Sequence, residues 1–147
     1  MTEKIGIEIK LLHENAKIPE KAKKGDNCYD LTAVSKTYND EYGFWEYDTG
    51  IAIKPQEGYA TQIYPRSSIS KYDIFLANSV GEIDNGFENT LKLRFKPTKF
   101  NFPKTYNIND KIGQLKVFKQ YEIDFTVVEE FSSSSERGQD GFGSSGE

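Results

Sequence analysis

Apolar and polar residues alternate along much of this chain with a period of two. Ile5, Ile7, Ile9 and Leu11 stand against Lys4, Gly6, Glu8 and Lys10, and Leu91, Leu93 and Phe95 against Lys92, Arg94 and Lys96. In an extended strand successive side chains point to opposite faces, so both stretches read as strands buried on one side only. Apolar, β-rich runs also cover 50–54, 59–64, 112–118 and 122–128. Turn residues separate them at Pro55-Gln56-Glu57-Gly58, Asp84-Asn85-Gly86 and Asn109-Asp110-Lys111. No stretch of a dozen residues carries a 3.6-residue period. The pattern predicts an all-β, jelly-roll-like barrel or sandwich of many short strands, with a single helical turn near 67–72. The segment 35–47, with Tyr38, Tyr42, Phe44, Trp45 and Tyr47, predicts an aromatic hairpin of unassigned role.

Composition narrows the picture. The 147 residues fit one domain with one core. Only 36% are hydrophobic, a thin supply that would gain from apolar surface shared with further copies of the chain. One Cys and one His exclude a disulfide framework and Cys- or His-rich metal sites, and make a Ser/His triad a poor expectation. The formal net charge of −4 lacks the basic face that nucleic-acid or membrane-surface binding requires. No apolar run approaches the roughly 20 residues of a membrane span, and the N-terminus does not read as a signal peptide. A cytoplasmic protein is expected.

Four of the twelve glycines fall among the last ten residues, after the serine run 132–135. This divides the chain into a β domain, 1–131, and a C-terminal arm, 132–147. Taken alone the arm is either a flexible tail or a strap. Glycines let backbone N–H groups turn toward an anion, Ser144 and Ser145 add donors, Arg137 adds a bidentate fork, and Phe142 offers a ring to stack on something flat. Other segments are equally two-sided. Arg66, Ser67 and Ser68 after Pro65 are either a surface turn or an anion site. Residues 78–87 read as a hairpin, with Asp84 either a turn former or a base that orients water, and Phe87 either core or a wall for a sugar. Asp30 sits between apolar neighbours and needs a partner or a metal. Gln114 alternates with Leu115 and is either an exposed polar residue or a ligand group.

Their order along the chain resembles the homotrimeric kind of the deoxyuridine triphosphate nucleotidohydrolase (dUTPase) family. Five segments carry the resemblance: Tyr29–Ala33 (YDLTA), Pro65–Ser68 (PRSS), Asn78–Phe87 (NSVGEIDNGF), Asp110–Leu115 (DKIGQL) and Arg137–Gly146 (RGQDGFGSSG). The resemblance implies a jelly-roll-like fold, a homotrimer whose active sites are each built from three chains, and hydrolysis of dUTP to dUMP and pyrophosphate with Mg²⁺ on the triphosphate. It implies that Asp84 orients the attacking water. Arg66, Ser67, Ser68 and Gln114 then hold phosphates or that water. Asn78, Gly81 and Ile83 read the uracil edge, and Phe87 packs the deoxyribose. Phe142 stacks on uracil, Arg137, Gly143, Ser144 and Ser145 grip the outer phosphates, and Asp30 supports the metal through water. No covalent nucleophile is needed, because phosphoryl transfer rests on positioning and charge neutralisation.

The chain departs from the family pattern in places. Phe87 stands where Tyr is usual, Cys28, Ser68, Asn89 and Asp140 where Gly is common, and Ser145 where Thr is common. Two other readings remain. The sister dCTP deaminases share the RSS and IDNGF signatures, but they carry an acid/base Glu at the position held here by Arg94, which cannot exchange a proton at neutral pH. A catalytically silent regulatory trimer is the other, set against the joint presence of Asp84, Arg66, Gln114, Arg137 and Phe142. Cytoplasm of a cell, or of a host cell for a viral protein, is the expected compartment.

Overall fold

Among the described residues ten strands form, most of them where the alternation is clearest: β1 Ile7–Leu11, β2 Tyr29–Thr32, β3 Ser35–Asn39, β4 Phe44–Asp48, β5 Ile51–Pro55, β6 Tyr59–Tyr64, β7 Ile74–Leu76, β8 Gly81–Ile83, β9 Lys92–Pro97 and β10 Lys111–Lys119. They come from a computed structural model that describes residues 3–143 and 146. All strand pairings are antiparallel. One four-stranded sheet runs β2-β10-β6-β8, a second runs β3-β4-β9-β7, and β1 pairs with β5 alone. The architecture is the all-β, jelly-roll-like one that the alternation predicts. The helical turn is a 3-10 turn, Ser67–Lys71.

The two larger sheets bury their inner faces against one another. Leu31 and Leu115 from the first sheet meet Tyr47, Leu93, Phe95 and Leu76 from the second, with Ile51 and Ile53 of β5 closing one side. Aromatics fill the centre: Tyr106 packs against Tyr47, Tyr72 and Phe95, with ring centroids 4.3–6.2 Å apart. The Tyr47 hydroxyl donates to the Tyr106 carbonyl at 2.8 Å, which satisfies both groups in the dry interior. Burial pushes the Tyr47 phenol up to about 12.

Two expected elements differ. Residues 122–128 form no strand, and Ile123, Phe125 and Val127 stand exposed. Both edges of β10 are taken, by β2 and β6, so the chain beyond Lys119 cannot fold back as a hairpin partner of the strand it leaves. Residues 78–87 are not a hairpin closed on itself. Their strand, β8, pairs with the longer β6, and only the turn ending at Phe87 N–H to the Asp84 carbonyl (2.9 Å) matches the expectation. The aromatic hairpin does form: β3 and β4 pair in register from Ser35↔Asp48 to Asn39↔Phe44, with Tyr38 against Trp45.

Candidate active site

The first cavity lies at the mouth of the β2-β10-β6 sheet. Asp30 on β2 and Gln114 on β10 are cross-strand partners, and Gln114 also faces Tyr64 at the end of β6. Pro65 follows that strand, and its missing N–H helps to end the ladder and release Arg66 toward the cavity. Arg66 Nε lies 3.4 Å from Asp30 Oδ1, and Lys111 Nζ lies 3.2 Å from Asp30 Oδ2. Arg66 Nη1 also donates to the Lys111 carbonyl at 3.4 Å. Gln114 Nε2 donates to the Pro65 carbonyl at 2.9 Å, which leaves its amide oxygen for another partner. The register of β10 shifts between Lys111 and Gly113. Gly113 suits the close approach there, because a Cβ would stand 2.6 Å from Leu93 Cδ2 and 3.2 Å from the Tyr64 carbonyl, so that Leu93 would have to shift.

The resulting cavity, ≈ 470 Å³, is lined by Asp26, Asp30, Arg66, Ser67, Gln114 and Cys28 among others. It combines a guanidinium fork and a hydroxyl with two carboxylates. Such a mixture suits a polyanion carrying its own hard cation better than either ion alone. Among the described residues no cluster of three metal-ligating side chains exists. Ser68 behaves differently from Ser67. Its Oγ is buried without a hydrogen-bond partner, and Ser68 does not line this cavity.

The second cavity, ≈ 420 Å³, lies between the 78–87 segment and the outer face of β9. Asn78, Gly81, Ile83, Asp84 and Phe87 line it together with Glu46, Lys92 and Arg94. Gly81 is fully buried against Ile63, so backbone and not side chain meets whatever enters beside it. Phe87 is half exposed and forms a wall instead of filling the core. The two cavities share no lining residue.

The arm stands apart from both. Arg137 Nε donates to the Asp140 carbonyl at 2.7 Å, Asp140 N–H donates back to the Arg137 carbonyl at 3.0 Å, and Phe142 is wholly exposed with a positive φ of 38°. Gly143 follows at φ 84°. Ser144 and Ser145 lie outside the described residues. The single chain thus brings together Asp30, Arg66, Ser67 and Gln114 in one cavity and Asn78, Gly81, Ile83, Asp84 and Phe87 in another, and leaves Arg137, Phe142 and Gly143 in neither.

Sequence reasoning missed three contributors. Lys111, the second cation on Asp30, stood in a motif read mainly for its Gln. Glu46 gave no local signal, because only the cross-strand pairing of β4 with β9 sets it opposite Arg94. Asp26, four residues ahead of Asp30, gave no signal of its own and joins the lining only in the fold.

A sequence profile of the dUTPase family matches residues 14–146. The deoxyuridine 5'-triphosphate nucleotidohydrolase of Helicobacter pylori (strain P12) is 30% identical over 141 residues, covering 95% of this chain and 96% of the relative. Its counterpart in Clostridioides difficile is 33% identical over 142 residues, covering 95% and 97%. Among solved structures, the Staphylococcus bacteriophage 80alpha dUTPase with dUPNHPP is similar at a TM-score of 0.79 and 26% identity, covering 96% of this chain and 98% of that one.

Proposed function

This chain belongs to the dUTPase family, and from that we propose that it is a dUTP diphosphatase releasing dUMP and pyrophosphate by attack of water on the α-phosphorus. The observation that carries the reading is the pairing of two unlike cavities. One carries a guanidinium, a hydroxyl and carboxylates suited to a metal-bound triphosphate, and the other a backbone-lined slot with a carboxylate and an aromatic wall.

In this reading Arg66 and Ser67 bind phosphate oxygens, with Arg66 aimed by Asp30, and Gln114 orients either a phosphate or the water through its free amide oxygen. Asp84 holds and polarises the attacking water. Asn78, Gly81 and Ile83 pair with the pyrimidine edge, leaving no room for a 5-methyl group, and Phe87 packs the sugar where a 2′-hydroxyl would sit. Asp30, with Asp26 beside it, holds Mg²⁺ through its hydration waters. When bound, Mg²⁺ neutralises charge on the triphosphate and lowers the electrostatic cost of attack. These groups act by positioning and neutralisation, worth many powers of ten in phosphoryl transfer without a covalent intermediate.

The two cavities share no residue, and no described residue of the arm lines either, which supports a complete site that draws on more than one copy. This supports a homotrimer in which the 78–87 segment comes from a second chain and the arm, 132–147, from a third. The arm then closes over the nucleotide, with Phe142 on the base and Arg137, Gly143, Ser144 and Ser145 on the outer phosphates. Ser68 belongs to this set only through its backbone, given its buried hydroxyl. The physiological role is removal of dUTP and supply of dUMP for thymidylate synthesis, in the cytoplasm of the cell or of an infected host.

The deciding experiment measures pyrophosphate released from dUTP, dTTP, dCTP and UTP with Mg²⁺, alongside the mass of the assembly by light scattering. Turnover of dUTP alone by a trimer is expected. Ammonia from dCTP would instead indicate deamination, and a trimer that releases nothing from any of the four would indicate a silent, regulatory protein.

A further inference from the structure

The base cavity contains an ion pair that the five family motifs leave unassigned. Glu46 on β4 and Arg94 on β9 are direct cross-strand partners. Arg94 Nε donates to Glu46 Oε2 at 2.8 Å, while Lys92 Nζ approaches Glu46 Oε1 at 3.7 Å. The Arg94 guanidinium also lies 4.6 Å from the centroid of the Phe44 ring. All three charged side chains line the same cavity as Asn78, Gly81, Ile83 and Asp84. The backbone ties them together as well, because the Ala77 N–H donates to the Arg94 carbonyl at 2.9 Å, immediately before Asn78.

An arginine on an open sheet face normally wanders among rotamers. Here Glu46 and Phe44 fix it at Nε and across its plane, and no hydrogen bond from its Nη groups forms within the described residues. Those Nη groups are donors only. Glu46, the one acceptor in the trio, is already engaged by two cations. Among these three residues the groups left free for the cavity are donors, while Glu82 and Asp84 are the other carboxylates of its lining.

We propose that Arg94, positioned by Glu46, is a specificity-determining residue that selects a pyrimidine carrying a carbonyl at its 4-position over one carrying an amino group. This rests on the base occupying the 78–87 cavity. A uracil O4 accepts from Arg94 Nη, whereas a cytosine amino group meets donor against donor, and the penalty for such an unmade pair in a binding site is large. The Arg94 side chain is 59% exposed, so the selectivity is set well below that of an enclosed site, at about 10- to 100-fold.

The test uses the full chain with non-hydrolysable α,β-imido analogues of dUTP and dCTP, read by calorimetric titration, together with kcat/KM for the two natural nucleotides. Arg94→Met should weaken the dUTP analogue about 10- to 100-fold while leaving the dCTP analogue unchanged or tighter. Arg94→Lys should recover only part of the preference, since a lysine keeps the charge but loses the fork and the fixed plane. Glu46→Gln should reduce the preference less than Arg94→Met. An unchanged ratio of the two affinities in Arg94→Met overturns the proposal, as does equal weakening of both analogues, which would make the pair merely structural. The binding ratio is read without turnover. A wild-type chain that fails to hydrolyse dUTP would thus count against the proposed reaction, and only the ratio counts for or against Arg94.

Discussion

Replacing Gly113 by Ala perturbs the link between core and site directly. Gly113 faces inward on β10 at the register shift that turns Gln114 toward the cavity. An added Cβ stands 2.6 Å from Leu93 Cδ2, so that methyl must retreat by roughly 0.8 Å to reach ordinary contact, and Leu93 is buried in a close-packed core with little room to give. The Tyr64 carbonyl, at 3.2 Å, belongs to the β6–β10 ladder and moves only with it. Overpacking of this kind costs about 1–3 kcal/mol. For a chain of 147 residues that corresponds to a fall in Tm of roughly 3–10 °C. Because Gln114 is the next residue, its 2.9 Å bond to the Pro65 carbonyl should slip with the strand. A misplacement of that order should lower kcat/KM for dUTP about 10- to 100-fold. Differential scanning calorimetry and a pyrophosphate-release assay read the two effects. Gly86→Ala is the control for stability, since a Cβ there meets nothing within 4 Å. Full stability and full activity in Gly113→Ala would refute the claim that close packing of β10 against β9 holds Gln114 in place.

Three other outcomes are expected. Asp84→Asn, which keeps the shape and removes the charge, should abolish turnover while the dUTP analogue still binds; lost binding with an unchanged rate at saturation would contradict the role given to Asp84. Truncation before Ser132 should leave the melting temperature and the assembly intact, because none of the arm's described residues belongs to the core cluster, yet cost at least tenfold in kcat/KM; Phe142→Ala should reproduce most of a KM effect. Finally, burial raises the phenol pKa of both Tyr47 and Tyr106, that of Tyr47 to about 12, while in the unfolded chain tyrosines ionise near about 10. The folded state holds the proton more tightly, so the stability from this source is complete below about pH 10 and is lost as pH rises toward about 12. Denaturant titrations between pH 9 and pH 12 should follow that decline, and Tyr47→Phe should flatten it.

The alternation of apolar and polar residues was enough to determine an all-β protein, because a period of two leaves only an extended chain able to hide one face. The segments proposed for the site were also legible as candidates, since Arg66, Asp84 and Arg137 each sit at or next to turn residues that no core would require. What the chain order did not carry was adjacency. Asp30 and Arg66 lie 36 positions apart in numbering, and only antiparallel pairing of β10 with both β2 and β6 sets them at one cavity, with Lys111 also on Asp30. Glu46 opposite Arg94 is likewise a product of register, which a shift of one residue would have turned to the other face. The reading of 122–128 as a strand failed for the complementary reason. Local pattern states that a segment can pair, but not with what, and the neighbouring strand in sequence, β10, already has both edges filled by β2 and β6. Composition and pattern determined what kind of layers form and which residues are free for chemistry. Tertiary pairing decided which of those residues meet, because hydrogen-bonded register and close packing act across distances along the chain that no local pattern spans.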